Sequence, residues 1–429
     1  MGGVCLNRGC IPSKSLIAGA NLYQRMKQAA SFGITLTAPP AVDWPAMKAR
    51  KDKIVGGLVS GINTLFKSYG VEQYNGFGYL TSPNRIRIDK TDETAEEIEA
   101  AHIIIATGSR PAIIPAFPLD GVRVLSSDHL LELAGLPSSM LIIGAGVIGC
   151  EWAFMLSQLD VKVEMVEMMP TALPMEDAMA QTLIERELKK VKVKLHTNVK
   201  VEKLEPSPNN LVAAVLTDGA KLEAEKVLVS IGRAFNSSGM ELEEAGIELN
   251  RNGSIKVDDH MLTSRKNIYA IGDVAGRSLL AYTAVAEGAV AVDNCLGEKL
   301  TIEYQGVPSV IFTQPEVASV GLKEQQAREK YDVAVGSFPM RALGKAHAEG
   351  EIAGEVKVIG DKKTDRLLGV HIVGPHATEV IHTAALAVRQ GLTVTELGSM
   401  VFAHPVISEA LMEACHSLHK MSVHLPGQR

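Results

Sequence analysis

The chain has 429 residues, 46% of them hydrophobic, and a formal net charge of −6. This length is typical of about three domains of roughly 150 residues each. Lysine and arginine are scattered, with no basic stripe, so we expect no nucleic-acid partner. No apolar run approaches the roughly 20 residues of a membrane helix, and the amino terminus does not have the order of a signal peptide. We therefore expect a cytoplasmic protein without a membrane span.

The cysteines are too few for a disulfide scaffold in a chain of this length. A closely spaced pair therefore indicates redox chemistry or metal binding, and Cys5 and Cys10 form such a pair. Cys150, Cys295 and Cys415 stand alone in apolar or helical surroundings, where a buried, inert thiol is expected.

The segment from Cys5 to Lys14 carries the most specific pattern in the sequence. Two thiols five positions apart, followed by a proline and a helical pattern, can close a small ring near a helix start. The helix dipole and the cation of Arg8 or Lys14 favour a thiolate, the species that attacks disulfides. The alternatives are a metal site or ordinary structural thiols. A four-ligand metal site needs further Cys or His at short spacing, and none follows, so we predict no metal.

Apolar periodicity predicts helices and strands along the whole chain. The predicted helices span residues 15–28, 44–69, 178–190, about 281–296, 377–390 and 408–419, and a further helix follows the glycine turn of residues 144–149 and ends at about residue 159. The predicted strands lie within residues 71–88, 102–106, 140–143, 161–167, 193–204, 211–216, 226–230, 355–359 and 367–373.

Two regions, residues 71–111 and 193–233, share one outline: a small strand meander, a buried strand and a glycine-containing turn. The second region is preceded by a strand, a glycine turn and a helix. The first opens only a few residues before the cysteines, so we expect its nucleotide-binding unit to lack that front half.

The sequence from Gly144 to Gly149 fits G-x-G-x-x-G, with glycines at 144, 146 and 149. The motif alone is weak, but here it lies between a predicted strand and a helix, where backbone amides can hold a pyrophosphate. Glu167 ends the next strand, 23 positions after Gly144, where a carboxylate can accept both ribose hydroxyls. No arginine follows in residues 168–171 to receive a 2′-phosphate, so NAD is preferred over NADP. The alternative for Glu167 is a solvated charge at a strand end.

Two further patterns are weaker when each is taken alone. Gly272-Asp273 follows an apolar strand and is suited to bond a cofactor hydroxyl, but taken alone the pattern favours an ordinary Asp turn. His404, followed by a proline and then by Glu409, could be an imidazole oriented by a carboxylate, as in a general base. Taken alone, a histidine beside a proline is more often part of a structural turn.

Together these motifs resemble the pyridine nucleotide–disulfide oxidoreductases, and within them the dihydrolipoamide dehydrogenases. The resemblance covers nearly the whole chain and rests on six separated segments in order. They are Cys5–Lys14, Ala106–Pro111, Gly144–Gly149 with Glu151, Tyr269–Asp273, Gln314–Ala318 and Ala403–Glu409.

The resemblance implies a role for each residue of these motifs. Cys5 would be the thiol that meets a dihydrolipoyl substrate, and Cys10 would lie against FAD and pass electrons to it. His404, oriented by Glu409, would be the catalytic base. The implied cofactor-binding residues, for FAD and for NAD on the opposite flavin face, are Lys14, Thr107, Gly108, Gly144, Gly146, Gly149, Glu151, Glu167, Gly232, Gly272 and Asp273.

The implied fold is α/β, with two Rossmann-like nucleotide-binding domains, for FAD and NAD, and a C-terminal α+β dimerisation domain. We divide the chain into a shortened FAD-binding domain with the cysteine pair (1–118), an NAD-binding domain (119–240), a central FAD-contacting segment (241–305) and an interface domain (306–429). The implied protein is a homodimer that serves lipoyl domains of 2-oxoacid dehydrogenase or glycine-cleavage complexes. Another disulfide reductase of the family, or a flavin-less NAD-binding scaffold, is the alternative.

Overall fold

The structure is a computed structural model that describes residues 1–426. Its α-helices, in chain order, are α1 (Gly3–Arg8), α2 (Cys10–Lys27), α3 (Trp44–Ser68), α4 (Ser127–Leu130), α5 (Val147–Gln158), α6 (Ala178–Lys190), α7 (Ala281–Cys295), α8 (Glu324–Arg328), α9 (Gly344–Glu349), α10 (Ala377–Gln390), α11 (Val394–Gly398) and α12 (Glu409–Leu418). Short 3-10 helices span Ala29–Phe32, Pro208–Asn210, Gly272–Ala275 and Met340–Ala342.

The strands begin with β1 (Gly76–Ser82), β2 (Arg85–Lys90), β3 (Ala95–Glu99), β4 (Ile103–Ile105), β5 (Ser109–Pro111), β6 (Val124–Leu125), β7 (Ser139–Ile143), β8 (Lys162–Val166), β9 (Lys194–His196) and β10 (Val201–Ser207). They continue with β11 (Leu211–Leu216), β12 (Lys221–Ala224), β13 (Lys226–Val229), β14 (Arg233–Phe235), β15 (Ile268–Ala270), β16 (Ser309–Ile311), β17 (Glu316–Gly321), β18 (Val333–Pro339), β19 (Glu355–Asp361) and β20 (Leu367–Gly374).

The contacts divide the chain into two compact units, which are described separately. The first unit comprises Met1–Ser15, Ala46–Ile114 and Gly232–Glu303. The second unit comprises Leu16–Pro45, Pro115–Ile231 and the described part of Tyr304–Arg429.

In the first unit, β1, β2 and β3 form an antiparallel sheet, and β4 pairs in parallel with β15. Ile103, Ile105 and Ile268 are buried in one apolar cluster with Ala270 and Val274. Because parallel strands end at the same edge of a sheet, the turns after β4 and β15 lie side by side. These turns carry Thr107-Gly108 and Gly272-Asp273, so two predicted cofactor-binding turns share one edge.

In the second unit, a parallel sheet has the strand order β6-β13-β7-β8-β9. Four of the five residues of β7 are buried, as expected for a central parallel strand, and the glycine turn joins β7 directly to α5. The sheet β10-β11-β12 repeats the antiparallel meander that precedes β4 in the first unit. The predicted similarity of residues 71–111 and 193–233 is therefore confirmed.

The C-terminal part of the second unit is an antiparallel sheet with the order β16-β17-β20-β19-β18. Every residue of β20 is buried, because helices such as α10 and α12 pack against the sheet. Phe338, Val356 and Ile372 are fully buried in its core. Helix α12 begins at Glu409, so this packing also fixes the predicted partner of His404.

Several predicted elements have the predicted ends, among them α6, α10 and β11. Helix α2 differs, because it begins at Cys10 and not at Ser15. Pro12 is compatible with this start, since a proline in the first helical turn loses no hydrogen bond. Cys10 is therefore the first residue of a long helix. Within residues 1–426, no helix is long and apolar enough to cross a membrane.

Candidate active site

The two cysteines meet because the chain turns sharply at Gly9. Helix α1 carries Cys5 and ends at Arg8, and α2 begins at Cys10. A Cβ on Gly9 would lie 3.1 Å from the Val4 carbonyl oxygen and 3.3 Å from the Cys5 Cα, closer than side chains normally allow. Gly9 thus permits the two helical turns to approach, with Cys5 and Cys10 as half-buried free thiols.

The contact between the thiols changes the protonation of Cys5. The hydrogen bond with Cys10 raises the pKa of the Cys5 thiol strongly, and burial and the charge of Cys10 add to the effect. The positive charge of Lys14 lowers this pKa, but by less. These interactions therefore oppose the expected thiolate at Cys5 while the pair is reduced.

Asp273 lies in a polar cluster within the first unit. Its Oδ2 accepts a short hydrogen bond from Ser109 Oγ, and Arg233 Nε lies 3.6 Å from the same oxygen. Arg233 also donates to Ser109, through Nε to Oγ at 2.6 Å and through Nη2 to the carbonyl at 2.8 Å. Ser109 and Arg233 therefore hold Asp273 in place, a role that the sequence reading did not predict.

Glu287 is a second residue that the sequence reading missed. Its side chain is fully buried on α7, and Oε2 accepts the Gly272 N–H at 2.6 Å. This contact fixes the backbone beside Asp273. A carboxylate within an otherwise apolar helical stretch, Ala281 to Val292, was the signal that could have found it.

The Thr107-Gly108 turn is held by Asn236. Thr107 Oγ1 donates to the Asn236 carbonyl at 2.6 Å, and Asn236 Nδ2 donates to the Thr107 carbonyl at 2.9 Å. Gly108 has φ +70°, and a Cβ there would meet nothing within 4 Å. The turn is thus rigid and faces open space, as a surface for a bound cofactor requires. Nearby, Gly232 has φ +121° and its carbonyl accepts the Ala112 N–H.

The glycine turn of the second unit has a different constraint at each glycine. A Cβ on Gly149 would lie 2.0 Å from the Gly144 carbonyl oxygen, and one on Gly144 would lie 2.5 Å from the Ser230 carbonyl oxygen. A Cβ on Gly146 would meet nothing within 4 Å. Gly144 and Gly149 therefore permit the turn itself, whereas Gly146 leaves space at the helix start for a bound pyrophosphate.

Glu167 lies beside this turn and is buried. Its Oε2 accepts the Ala145 N–H at 2.7 Å, and Oε1 accepts the Met169 N–H at 2.8 Å. An ionised carboxylate offers about four acceptor positions, so two are left for ribose hydroxyls. The interpretation of Glu167 as a solvated strand-end charge does not fit its burial.

His404 and Glu409 form the predicted imidazole–carboxylate pair, with 2.9 Å between Nδ1 and Oε1. Glu409 Oε2 also accepts the Val406 N–H at 2.9 Å. Partial burial raises the pKa of Glu409, but these hydrogen bonds outweigh it and lower the pKa below its ordinary value of about 4.5. The His404 side chain is 78% exposed, so the imidazole is oriented by Glu409 and accessible to a substrate.

The remaining predicted residues, Lys14 and Glu151, lie in different units. Lys14 is in the first helical turns of α2. Glu151 is buried on α5, where its Oε1 accepts the Phe312 N–H at 3.0 Å. Their pairing near the flavin stays a prediction. In residues 1–426, no group of three His, Cys, Asp or Glu side chains is arranged to hold a metal ion.

Comparison with protein families decides the classification. The family model described as pyridine nucleotide-disulphide oxidoreductase matches residues 1–288, and the dimerisation domain of the same family matches residues 307–415. The chain belongs to the pyridine nucleotide-disulphide oxidoreductase family.

Similar members of this family align with this chain over most of their own length. A dihydrolipoyl dehydrogenase of Chlamydia pneumoniae is 39% identical over 97% of this chain and 91% of its own length. One of Bacillus subtilis is 38% identical over 99% of this chain and 92% of its own length.

Two solved structures of the family have closely similar folds. LpdA from Mycobacterium tuberculosis superimposes with a TM-score of 0.91 and 30% identity, covering 97% of this chain and 92% of its own. The HOCl-induced flavoprotein disulfide reductase RclA from Escherichia coli superimposes with a TM-score of 0.84 and 28% identity. This match covers 96% of this chain and 91% of the RclA chain. The α/β fold with a dimerisation domain is thereby confirmed.

The glycine turn gives a test that separates folding from nucleotide binding. We expect Gly149→Ala to lower Tm by several degrees, because its Cβ would clash with backbone at Gly144. Gly146→Ala adds a methyl group in open space and should keep the wild-type Tm while weakening NAD binding about tenfold or more. Thermal unfolding and calorimetric NAD titration measure both effects. Equal NAD affinity in Gly146→Ala and wild type would contradict the assignment.

The lowered pKa of Glu409 predicts a pH-dependent contribution to stability. A carboxyl group whose folded pKa is depressed stabilises the fold above its unfolded pKa, and this contribution disappears as pH falls through the folded pKa. We expect Glu409→Gln to destabilise the protein by about 1 kcal/mol at pH 7. Thermal unfolding from pH 7 to pH 3 should show the two Tm values converging below about pH 4. A Tm difference that persists to the lowest pH would contradict the ionised state of Glu409.

Proposed function

We propose that this protein is an NAD-dependent dihydrolipoyl dehydrogenase that oxidises dihydrolipoyl groups to lipoyl groups through FAD. The contact of Cys5 with Cys10 across Gly9 carries the proposal, because it supplies a redox-active thiol pair at the start of a long helix. Relatives named dihydrolipoyl dehydrogenase, 38–41% identical over nearly the whole chain, support the substrate class.

Catalysis requires a base, and the His404–Glu409 pair suits that role. The hydrogen bond at Nδ1 keeps the imidazole oriented and leaves Nε2 to take a proton from a dihydrolipoyl thiol. The resulting thiolate attacks the Cys5 sulfur of an oxidised Cys5–Cys10 pair and releases Cys10 as a thiolate. The second substrate thiol then displaces Cys5 and passes its proton to the Cys5 sulfur, so the substrate leaves as a disulfide and the protein holds the Cys5 thiol, the Cys10 thiolate and the proton on His404.

The residues that would hold the cofactors fit the groups they bind. Thr107-Gly108 and Gly272-Asp273 provide a rigid edge with space for FAD, and the glycine turn with Glu167 provides a pyrophosphate and ribose site for NAD. A bound FAD would supply the two-electron chemistry that links the dithiol to NAD. The protein's part is to orient both cofactors and to hold the thiols and the base.

The dimerisation domain supports a homodimer as the working form. We further propose that His404 and Glu409 serve the cysteine pair of the partner subunit. The macromolecular partners would be lipoyl domains of 2-oxoacid dehydrogenase or glycine-cleavage complexes, in the cytoplasm. The division at residues 118, 240 and 305 is likewise proposed, with the described residues of 306–429 as the interface domain.

Reduction of a different disulfide or oxidant is the second candidate function. The observation that favours it is the similarity to RclA, described as a flavoprotein disulfide reductase. Turnover with dihydrolipoamide and NAD, compared with turnover of other disulfides and NADH, separates the two functions. A chain that binds NAD but does not bind added FAD would instead support the scaffold interpretation.

The proposal predicts distinct effects of substitutions in the centre. Cys5→Ser and Cys10→Ser should each lower NAD-dependent oxidation of dihydrolipoamide by about a thousandfold or more, since each removes the redox pair. His404→Gln should lower turnover roughly 10²–10⁴-fold through loss of the base.

Cys295→Ser is the matched control, because Cys295 is also a half-buried thiol but lies at the end of α7. Its turnover should equal that of the wild type. Steady-state kinetics of the FAD-loaded protein measures all four variants. Wild-type activity in Cys5→Ser would refute the proposed function.

A further inference from the structure

A row of polar residues crosses the C-terminal sheet at one register position. Pairing places Ser309 opposite Ser319, Ser319 opposite His371, His371 opposite Lys357, and Lys357 opposite Ser337. Paired residues of neighbouring strands point to the same face of a sheet. One residue from each of the five strands therefore forms a polar row, which we call the sheet row.

The sheet row binds the segment that precedes helix α6 in the same unit. Ser319 Oγ donates to Glu176 Oε2 at 2.9 Å, and Ser309 Oγ lies 3.4 Å from Glu176 Oε1. Lys357 Nζ donates to Asp177 Oδ1 at 2.9 Å. Glu176 and Asp177 thus contact three of the five strands, namely β16, β17 and β19.

The contact of Lys357 with Asp177 is a buried charge pair, since both residues are less than 10% exposed. Burial raises the pKa of Asp177, but hydrogen bonds from Lys357 and the Met179 N–H outweigh it and lower the pKa below its ordinary value. Glu324 completes the group: its backbone N–H donates to Asp177 Oδ2 at 3.1 Å and its carboxylate lies 2.5 Å from Lys357 Nζ. A buried charge without its partner is strongly unfavourable, so Asp177 is tied to Lys357.

His371 lies between Ser319 and Lys357 and is almost completely buried. Its Nε2 lies 3.1 Å from the Leu322 carbonyl oxygen, and its Nδ1 has no hydrogen-bond partner among residues 1–426. Burial lowers the pKa of His371, although the charges of Asp177 and Glu176 act against it. The imidazole is therefore a neutral spacer within the row.

The other end of the same segment contacts the glycine turn. The Leu173 N–H donates to the Ala145 carbonyl at 2.8 Å, and the Met169 N–H donates to Glu167 Oε1 at 2.8 Å. Leu173 is buried and has φ +49°, a conformation that a leucine adopts only when its surroundings hold it. Residues 168–177 therefore run from the proposed ribose-binding carboxylate to the sheet row.

We propose that Ser319 and Lys357 of the sheet row form a positioning device for NAD, which fixes residues 168–177 and through them the glycine turn and Glu167. Ser319 and Lys357 are positioning residues, because they act through Glu176 and Asp177 and do not touch the cofactor. The inference rests on the proposed function, since it assigns NAD to that turn. It connects the region matched by the dimerisation-domain model, residues 307–415, to the affinity of the nucleotide site.

Calorimetric titration of the full chain with NAD tests this directly, using Ser319→Ala and Lys357→Met. Ser337→Ala is the matched control, because it makes the same change as Ser319→Ala in the same row at the far strand. We expect the Kd for NAD to rise roughly threefold in Ser319→Ala and roughly tenfold in Lys357→Met, and to stay at the wild-type value in the control.

Kinetics of the FAD-loaded variants gives a second measurement, which a general loss of stability would not reproduce. The KM for NAD should rise while the KM for dihydrolipoamide and the rate of flavin reduction by dihydrolipoamide stay unchanged. Unchanged NAD affinity in folded Ser319→Ala and Lys357→Met would overturn the inference. If Lys357→Met does not fold, Ser319→Ala decides alone. A wild type that binds NAD but does not oxidise dihydrolipoamide would count against the proposed function, and the NAD titrations would still test the sheet row.

Discussion

The proposed chemistry begins at one contact, that of the Cys5 thiol with the Cys10 sulfur. The contact exists because Gly9 has no side chain. A Cβ on Gly9 would lie 3.1 Å from the Val4 carbonyl oxygen, so a larger residue would force α1 and α2 apart. Its electrostatic consequence is asymmetric. The hydrogen bond with Cys10 raises the pKa of Cys5, and Cys10 is the first residue of an 18-residue helix, where the helix dipole favours negative charge. The two thiols are therefore chemically distinct, as a pair with separate substrate and flavin roles requires.

The predicted cofactor-binding residues follow a second constraint, which is that glycine turns at the ends of parallel strands leave room for a ligand. Thr107-Gly108 follows β4, Gly272-Asp273 follows β15, and the Gly144 turn follows β7. In each case a buried strand supplies rigidity and a glycine removes the side chain that would block approach. Polar side chains then hold the turns: Asn236 and Glu287 in the first unit, Glu167 and Ser230 in the second.

Features that depend on short stretches of sequence could be predicted. The glycine turn, Glu167 and the ends of α6 are encoded by local spacing and periodicity, and the structure has them as predicted. The sequence leaves the His404–Glu409 pair ambiguous; the structure brings the two side chains to 2.9 Å, and their role as a base stays a prediction.

Features that depend on the meeting of distant segments could not be predicted. Ser109 lies 124 residues before Arg233 and 164 residues before Asp273, and no local pattern links them. The sheet row is of the same kind, because its register exists only after five strands have paired. The raised pKa of Cys5 could not be predicted either, because the sequence shows the cations near Cys5 but not the hydrogen bond with Cys10 that outweighs them.

The central claim is that electrons from dihydrolipoyl groups pass through Cys5 and Cys10, and alkylation followed by mass spectrometry tests it most directly. The FAD-loaded protein would be oxidised, treated with dihydrolipoamide without oxygen, then treated with NAD, with free thiols alkylated at each stage. The account predicts two labels on the segment that contains Cys5 and Cys10 after dihydrolipoamide, and their loss after NAD, with labelling of Cys295 constant throughout. Constant labelling of Cys5 and Cys10 through a complete turnover would contradict it.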